Sequence, residues 1–335
     1  MRLTEAELAA LIARAFVRHG MGEANAALVA AAVAAAERDG AASHGLLRME
    51  GYVATLRSGW VDGRAVPAVT RTAPAILAVD ARNGFAQVAL AAVRGEAVAV
   101  ARGEGLAAVC IADSHHFAAL WPDVEPFAER GLIALTALNT RGRIVAWGGR
   151  RKVLGTNPMA FACPCADGPP VVWDQASSLR AQGEVLKARV EGRPVPEGVG
   201  LDAAGEPTTD PATILDGGAL LPFGGHKGAG IAFMVEVLAA AMTGGRFGFQ
   251  DESPRFPGAQ PSRAGQFLLL LDPARGPGGD APGRVAALVA MLREAGASRL
   301  PGDERHRRRA RAAREGIEVP EASYDRLLDL AGVAP

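Results

Sequence analysis

The chain has 335 residues, 49% of them apolar, with 36 acidic and 36 basic side chains. That length supports one large or two medium domains with buried cores, and the neutral balance argues against a generic nucleic-acid binder. No apolar run reaches the roughly 18 residues of a transmembrane helix, and Met1 to Glu5 lacks the pattern of a secretory signal, which predicts a cytoplasmic protein without a membrane partner.

Cys110, Cys163 and Cys165 do not form a disulfide framework, and the Cys163-Pro164-Cys165 spacing is too tight for a zinc knuckle. They are expected to be buried thiols in strands, and no metal site is expected. The only lysines are Lys152, Lys187 and Lys227, the remaining cations being arginine. A lysine kept in such a background draws attention where a compact point charge is wanted.

In chain order, Thr4-Glu5-Ala6-Glu7 is a capping box that opens a helix to about His19. An alanine-rich helix is predicted from Glu23 to Arg38, and a third from Ser43 to about Ser58. Ala75 to Asp80 is a predicted strand, Phe85 to Arg102 a helix, and Leu106 to Ala112 a strand. Asp113 to Phe117 is a predicted loop before a helix from Trp121 to Arg130. Strands are predicted at Leu132 to Leu138, Met159 to Cys163 and Val171 to Trp173. Arg189 to Asp210 is expected to be a long loop. Gly224 to Gly228 opens an apolar helix to about Met242, followed by a Pro-rich connection, a strand at Phe267 to Leu271 and a helix at Gly283 to Ala295. The tract Arg305-His306-Arg307-Arg308-Arg309 starts a last helix. Strands between 132 and 173 succeed one another without helices, which is not the alternation of a doubly wound parallel sheet. The expected class is mixed α+β, with a largely antiparallel central sheet and helices from both ends of the chain.

Gly103-Glu104-Gly105-Leu106-Ala107-Ala108 matches G-x-G-x-x-A, but it follows a helix and opens a strand. A dinucleotide fingerprint needs the opposite order, so Gly105 is expected to stop a helix. Gly224-Gly225-His226-Lys227-Gly228 combines exposed backbone N–H groups at a helix start with two cationic or polar side chains, which suits a phosphate. Taken alone, it serves equally as a solvated turn. Within a helix starting near Ser43, His44, Arg48 and Tyr52 fall on one face. A titratable imidazole beside a guanidinium fork can hold a small carboxylate and move a proton next to it. The plainer alternative is an N-cap serine followed by surface residues. His115-His116, Gly155-Thr156-Asn157-Pro158 and Trp173 to Ser178 are polar segments at strand ends that serve as site or as ordinary turn.

Taken together, Ser43-His44-Gly45-Leu46 with Arg48 and Tyr52, His115-His116-Phe117, Gly155-Thr156-Asn157-Pro158 and Leu221 to Gly228 resemble the malate/L-lactate dehydrogenase family, which is unrelated to the Rossmann dehydrogenases. Ala118 after His116-Phe117, and Gln175-Ala176-Ser177-Ser178, are most similar to its Δ1-piperideine-2-carboxylate/Δ1-pyrroline-2-carboxylate reductase branch. The resemblance implies a homodimer. It also implies a discontinuous helical, substrate-side domain from 1–120 with 280–335, and an NAD(P)-binding domain over 121–279. It implies NADPH as cofactor, with NADH as the alternative, contacted by His116, Phe117, Ala118, Ala119, Leu120, Asp174, Gln175, Ala176, His226, Lys227, Gly302, Asp303, Glu304, Arg305, His306, Arg307 and Arg308. By the same carry-over Arg48 and Thr156 hold the substrate carboxylate, Ser43 and His44 handle the proton, and Glu184 is their carboxylate partner. The implied reaction is reduction of a small cyclic imine 2-carboxylate. The alternatives are a malate- or lactate-type 2-hydroxy-acid dehydrogenase and a non-catalytic nucleotide-binding protein.

Overall fold

The computed structural model describes residues 1–260 and 262–334. Helix α1 (Glu5–Arg18) starts on the predicted capping box: Thr4 accepts from the Glu7 N–H, and Glu7 reaches back to the Thr4 N–H at 2.8 Å. Helix α2 (Glu23–Arg38) follows, then a short α3 (Met49–Arg57). Strand β1 (Ala68–Ala73), absent from the predicted elements, pairs with β2 (Ile76–Phe85). Helix α4 (Ala86–Glu104) ends on Gly105, whose φ of 89° confirms it as a helix stop. Strand β3 (Leu106–His115) runs three residues past its predicted end. Then come α5 (Trp121–Ala128), β4 (Ile133–Leu138), β5 (Met159–Cys163), β6 (Val171–Gln175) and α6 (Gln182–Val190), which begins inside the approach to the expected long loop. The chain closes with α7 (His226–Glu236), β7 (Arg263–Leu271), α8 (Ala281–Glu294), α9 (Asp303–Glu315) and α10 (Glu321–Ala331).

The central sheet has seven strands in the order β1-β2-β3-β7-β4-β5-β6. Only β2 and β3, joined through α4, run parallel; the other neighbours are antiparallel. The expected mixed class with a largely antiparallel sheet is what the chain forms. The expected domain boundary at residue 120 crosses this sheet, with β1 to β3 before it and β4 to β7 after it in one hydrogen-bonded unit. β7 explains this: it inserts between β3 and β4, so residues far apart in sequence share one ladder. A small second sheet includes Ile144–Val145, Lys152–Leu154 and Gly200–Leu201, the last lying in the stretch expected to be loop.

Two cores flank the site. One fills the space between the sheet, α4 and α5 around Val109, Ile111, Val124 and Leu268. The other joins α1, α2, α3 and α10 around Phe16, Val33, Tyr52 and Leu327. Tyr52 is fully buried among Phe16, Phe85 and Phe117, with ring centroids 5.2, 5.7 and 4.3 Å away. No helix among the described residues is long and apolar enough to cross a membrane.

Candidate active site

The predicted helix from Ser43 does not form as one element. Two 3₁₀ turns, Ala42–His44 and Leu46–Arg48, replace its first half, separated by Gly45 at φ −96° and ψ −133°. The reason lies in α2. The Glu37 carboxylate accepts the Leu46 N–H at 2.9 Å, and a Cβ at position 45 would collide with that same oxygen. The helical face therefore dissolves: Tyr52 turns into the core, whereas His44 and Arg48 stay half-buried together. Ser43 Oγ lies 3.1 Å from His44 Nδ1, and Arg48 Nε donates to the Ser43 carbonyl at 2.8 Å. Burial first, then the charges of Arg48 and His116, push the His44 pKa down to about 4. The imidazole of the free site is therefore neutral at pH 7. Burial also lowers the pKa of Arg48, with Arg141 adding to the effect.

Thr156 sits in a turn held from below. Asn157, at φ 40°, donates to Ala232 O at 2.9 Å and to Glu236 Oε1 at 3.0 Å, and accepts the Thr140 N–H at 3.1 Å. Asparagine tolerates this left-handed backbone better than most residues. Glu236, buried on α7, also takes the Gly155 N–H and the Asn139 amide. The Thr156 hydroxyl consequently meets Thr140 Oγ1 at 3.2 Å.

The residues carried over for the cofactor converge from separate segments. The Leu120 N–H donates to Asp174 Oδ2 at 3.3 Å, and Arg305 reaches Asp174 Oδ1 at 3.4 Å and Val172 O at 2.7 Å. Arg305 also lies over the Trp121 ring, 4.7 Å from its centroid. His306 contacts Pro170 O at 3.0 Å, and Gly302 takes a left-handed φ of 90° at the start of α9. Burial raises the Asp174 pKa against the pull of Arg305 and backbone N–H groups. Gln175 ends β6, and Ala176 leads into the Ser177 N–H bond to Thr156 O at 2.7 Å. The Phe223 N–H bonds Ser177 O at 3.0 Å, which brings the Gly224-Gly225-His226-Lys227 turn alongside. Both glycines have positive φ, and a Cβ on Gly225 would sit 2.6 Å from the Trp147 ring. His226 and Lys227 are exposed at the first turn of α7, a donor set suited to a phosphate. Phe117, Ala118, Ala119 and Leu120 are buried. Asp303 caps the Leu300 N–H at 2.7 Å, and Glu304 pairs with Arg307 and Arg308 at 2.8 Å each. These last contacts are internal to the helix and its approach, so the arginine tract is less available than its sequence suggests.

His116, carried over as a cofactor contact, is buried: its Nε2 lies 2.9 Å from Asp123 Oδ2, which also accepts Gln266 Nε2 at 2.8 Å. His116 Nδ1 is buried without a hydrogen bond. Glu184 is not brought onto His44. Its side chain is 59% exposed and faces Arg180 at 3.8 Å, although the neighbouring Gly183 packs against Ser43. Sequence alone gives Asp123, Glu236 and Glu37 no role, because each acts on a group outside its own helix. The one available signal was Asp123, in the first turn of a helix seven residues after His116.

The arrangement sets a half-buried guanidinium, Arg48, beside a hydroxyl–imidazole pair, and a glycine-rich helix start carries the exposed His226 and Lys227. Comparison with known proteins agrees with this chemistry. The model for the malate/L-lactate dehydrogenase family matches residues 3–328. The chain is 49% identical over 332 residues to a Δ1-pyrroline-2-carboxylate/Δ1-piperideine-2-carboxylate reductase of Pseudomonas putida, spanning 99% of this chain and 97% of that one. It is 42% identical over 325 residues to a (2R)-3-sulfolactate dehydrogenase (NADP+) of Chromohalobacter salexigens, spanning 97% and 96%. The crystal structure of Δ1-piperideine-2-carboxylate reductase from Pseudomonas syringae pv. tomato matches with a TM-score of 0.97 at 48% identity, over 98% of this chain and 99% of that one. The fold, the ordered motifs and these likenesses make the chain an oxidoreductase that belongs to the malate/L-lactate dehydrogenase family.

Proposed function

We propose that this chain reduces a cyclic imine 2-carboxylate, Δ1-piperideine-2-carboxylate or Δ1-pyrroline-2-carboxylate, to L-pipecolate or L-proline with NADPH. The observation that carries the reading is the Ser43–His44 pair beside Arg48, whose guanidinium is fixed through Nε and keeps its outer nitrogens for a carboxylate. The 49% identity to a reductase named for these substrates supports it. Thr156, steadied by Thr140, completes the carboxylate seat. NADPH supplies the hydride when bound; His226 and Lys227 would hold its phosphates, and the Leu120–Asp174–Arg305 cluster would fix its position.

His44 handles the proton at the imine nitrogen, with Ser43 setting the ring's orientation. In the free site the ring is neutral because it is buried and faces the positive charge of Arg48. A carboxylate seated on Arg48 offsets that charge and raises the ring's proton affinity. Proton uptake is thus coupled to substrate binding. In this reading the enzyme works in the cytoplasm as a homodimer, and Glu184 assists from α6 rather than touching His44.

The test is NADPH oxidation with Δ1-piperideine-2-carboxylate against pyruvate and oxaloacetate, in the native chain and in His44→Ala. The imine should be the preferred substrate. The variant should keep its NADPH affinity but lose roughly 10²–10⁴-fold in turnover, the usual worth of a proton-transfer group. Preference for the keto acids, or near-normal turnover in His44→Ala, would overturn the assignment.

A further inference from the structure

The turn that carries Thr156 is tied to one buried acid, Glu236, at the end of α7. Its oxygens collect donors from three separate segments. Oε1 takes the Gly155 N–H at 3.3 Å and the Asn157 amide at 3.0 Å; Oε2 takes the Asn139 amide at 3.1 Å and the Gly248 N–H at 3.2 Å. All four donors are neutral, whereas the buried Asp39 and Glu125 each meet an arginine. Neither asparagine can turn its amide over. Asn157 also donates to Ala232 O at 2.9 Å while its Oδ1 accepts the Thr140 N–H at 3.1 Å. Asn139 also donates to Arg246 O at 2.7 Å while its Oδ1 accepts the Gly265 N–H at 3.0 Å. The position therefore demands an acceptor on both sides, which a carboxylate supplies and a carboxamide does not. A buried charge without a cation is unfavourable for a fold, so what Glu236 secures is geometry.

From this acid the hydrogen bonds run to the Thr156 hydroxyl. Asn157, gripped by Glu236, holds the Thr140 N–H. Thr140 Oγ1 in turn accepts the Thr156 N–H at 2.9 Å and lies 3.2 Å from Thr156 Oγ1. Among the described residues that oxygen is the acceptor within reach of the Thr140 proton. Once Thr140 donates to it, the Thr156 proton is left for a group that only accepts, as an ionised carboxylate does. The close approach leaves no room for side chains: a Cβ at Gly155 would lie 2.2 Å from Thr140 O, and one at Gly248 2.5 Å from it. We infer that Glu236 is a positioning residue of the substrate seat: through Asn157 and Thr140 it holds the Thr156 hydroxyl as a donor to the substrate carboxylate. The inference rests on the placement of that carboxylate at Thr156 proposed above.

The test is a double-mutant cycle between Glu236→Gln and Thr156→Val, read as KM, kcat and NADPH affinity with the 2-carboxylate substrate that the native chain prefers. Glutamine sets an NH2 group against two N–H donors, so one half of the grip opens. Each single change should raise KM about tenfold, the worth of one hydrogen bond to a charged group, with kcat and NADPH affinity little changed. In the double variant KM should rise no further than in Thr156→Val alone, because Glu236 acts through that hydroxyl. A KM that multiplies the two single effects would overturn the inference, since a general loosening of the fold acts independently of Thr156. So would a native KM in Glu236→Gln. Where Glu236→Gln does not fold, Thr140 carries the same question: Thr140→Val should raise KM about tenfold, and Thr140→Ser should restore most of the native value. Equal KM in those two variants would overturn the inference. Thr156→Val also reports by itself: a native KM there overturns the Thr156 seat, whereas a raised KM there with a native KM in Thr140→Val overturns only the role of the positioning chain.

Discussion

Two arginine clusters in this molecule have similar burial and opposite surroundings. In the first, Arg38 and Arg309 converge on Asp39, at 2.7 Å each, and Arg309 adds Glu125 at 2.8 Å while Arg38 adds Glu5 at 2.9 Å. The Trp121 indole N–H donates to the same aspartate at 3.2 Å. Burial pushes the Asp39 carboxyl up, but the two arginines outweigh it and hold it below its usual range. This cluster ties α2, α5 and α9 together across residues 38 to 309. In the second group, Arg48, Arg141 and Arg143 form no ion pair among the described residues, and Asp251 acts on Arg141 and Arg143 through its charge alone. Charges that hold the fold are satisfied within the chain. Arg48 and Arg143 have no such partner, and burial together with neighbouring arginines lowers their pKa.

The sharpest break of that contrast is Asp39→Ala. Removing the shared carboxylate leaves two partly buried guanidiniums facing each other, and breaking a buried pair in this way costs about 3–5 kcal/mol. Urea unfolding should show a loss of that size, with KM for substrate unchanged in the protein that remains folded. A loss below about 1 kcal/mol would mean that the network is solvated and structurally idle. Gly45→Ala comes next. The added methyl collides with the Glu37 carboxylate that anchors the Ser43–His44 turn, and overpacking of this kind costs roughly 1–3 kcal/mol. Because the strain falls on the turn itself, turnover should drop together with stability, which distinguishes it from Asp39→Ala.

How far each cluster was legible in the sequence follows from the range of the interactions. Helices α1 and α2 were readable because their signals are local: a capping box at Thr4 and an uninterrupted alanine-rich stretch. The continuous helix expected from Ser43 does not form, because the residue that breaks it, Glu37, belongs to another element. Strand β1, with alternating small and polar residues at a sheet edge, carried no apolar run to mark it. The meeting of Leu120, Asp174 and Arg305 is anticipated by family resemblance alone. Nothing in their spacing could supply it, since the contacts Leu120–Asp174 and Arg305–Asp174 cross 54 and 131 positions. Arg141 and Arg143 are visible only once the absence of partners is seen, and a sequence does not show absence.

On the open side of the comparison, Arg48→Lys should raise KM for the imine about tenfold or more with a smaller change in kcat, because a point charge cannot reproduce two parallel hydrogen bonds. A kcat loss at unchanged KM would place Arg48 in the chemical step instead. The pH dependence sharpens the same point. His44 has a folded pKa of about 4 against an ordinary 6.5. As pH falls from 6.5 toward 4, the unfolded chain takes up the proton first, so native stability relative to His44→Ala should decline through that window and level off below it. In kinetics, kcat/KM reports the free site and kcat the loaded one. If the seated carboxylate raises the ring's affinity, the falling limb of kcat should lie at higher pH than that of kcat/KM. Coincident limbs would show that substrate charge does not reach His44.

The smallest effect expected is also the one that asks which side of the comparison Tyr52 belongs to. It stands in the motif with His44 and Arg48, yet its ring is packed among three phenylalanines and its hydroxyl is buried without a partner. Burial raises its pKa well above the ordinary phenol range, so it stays neutral. A buried hydroxyl that makes no hydrogen bond carries a desolvation cost without return. Tyr52→Phe keeps the ring contacts and removes that cost, so stability should be unchanged or slightly higher, within about 0.5 kcal/mol, and KM and kcat should hold within twofold. If turnover instead falls while the fold is intact, the hydroxyl has a partner in the loaded site. Tyr52 would then stand with His44 and Arg48 rather than with Asp39 and Arg309, which hold the protein together.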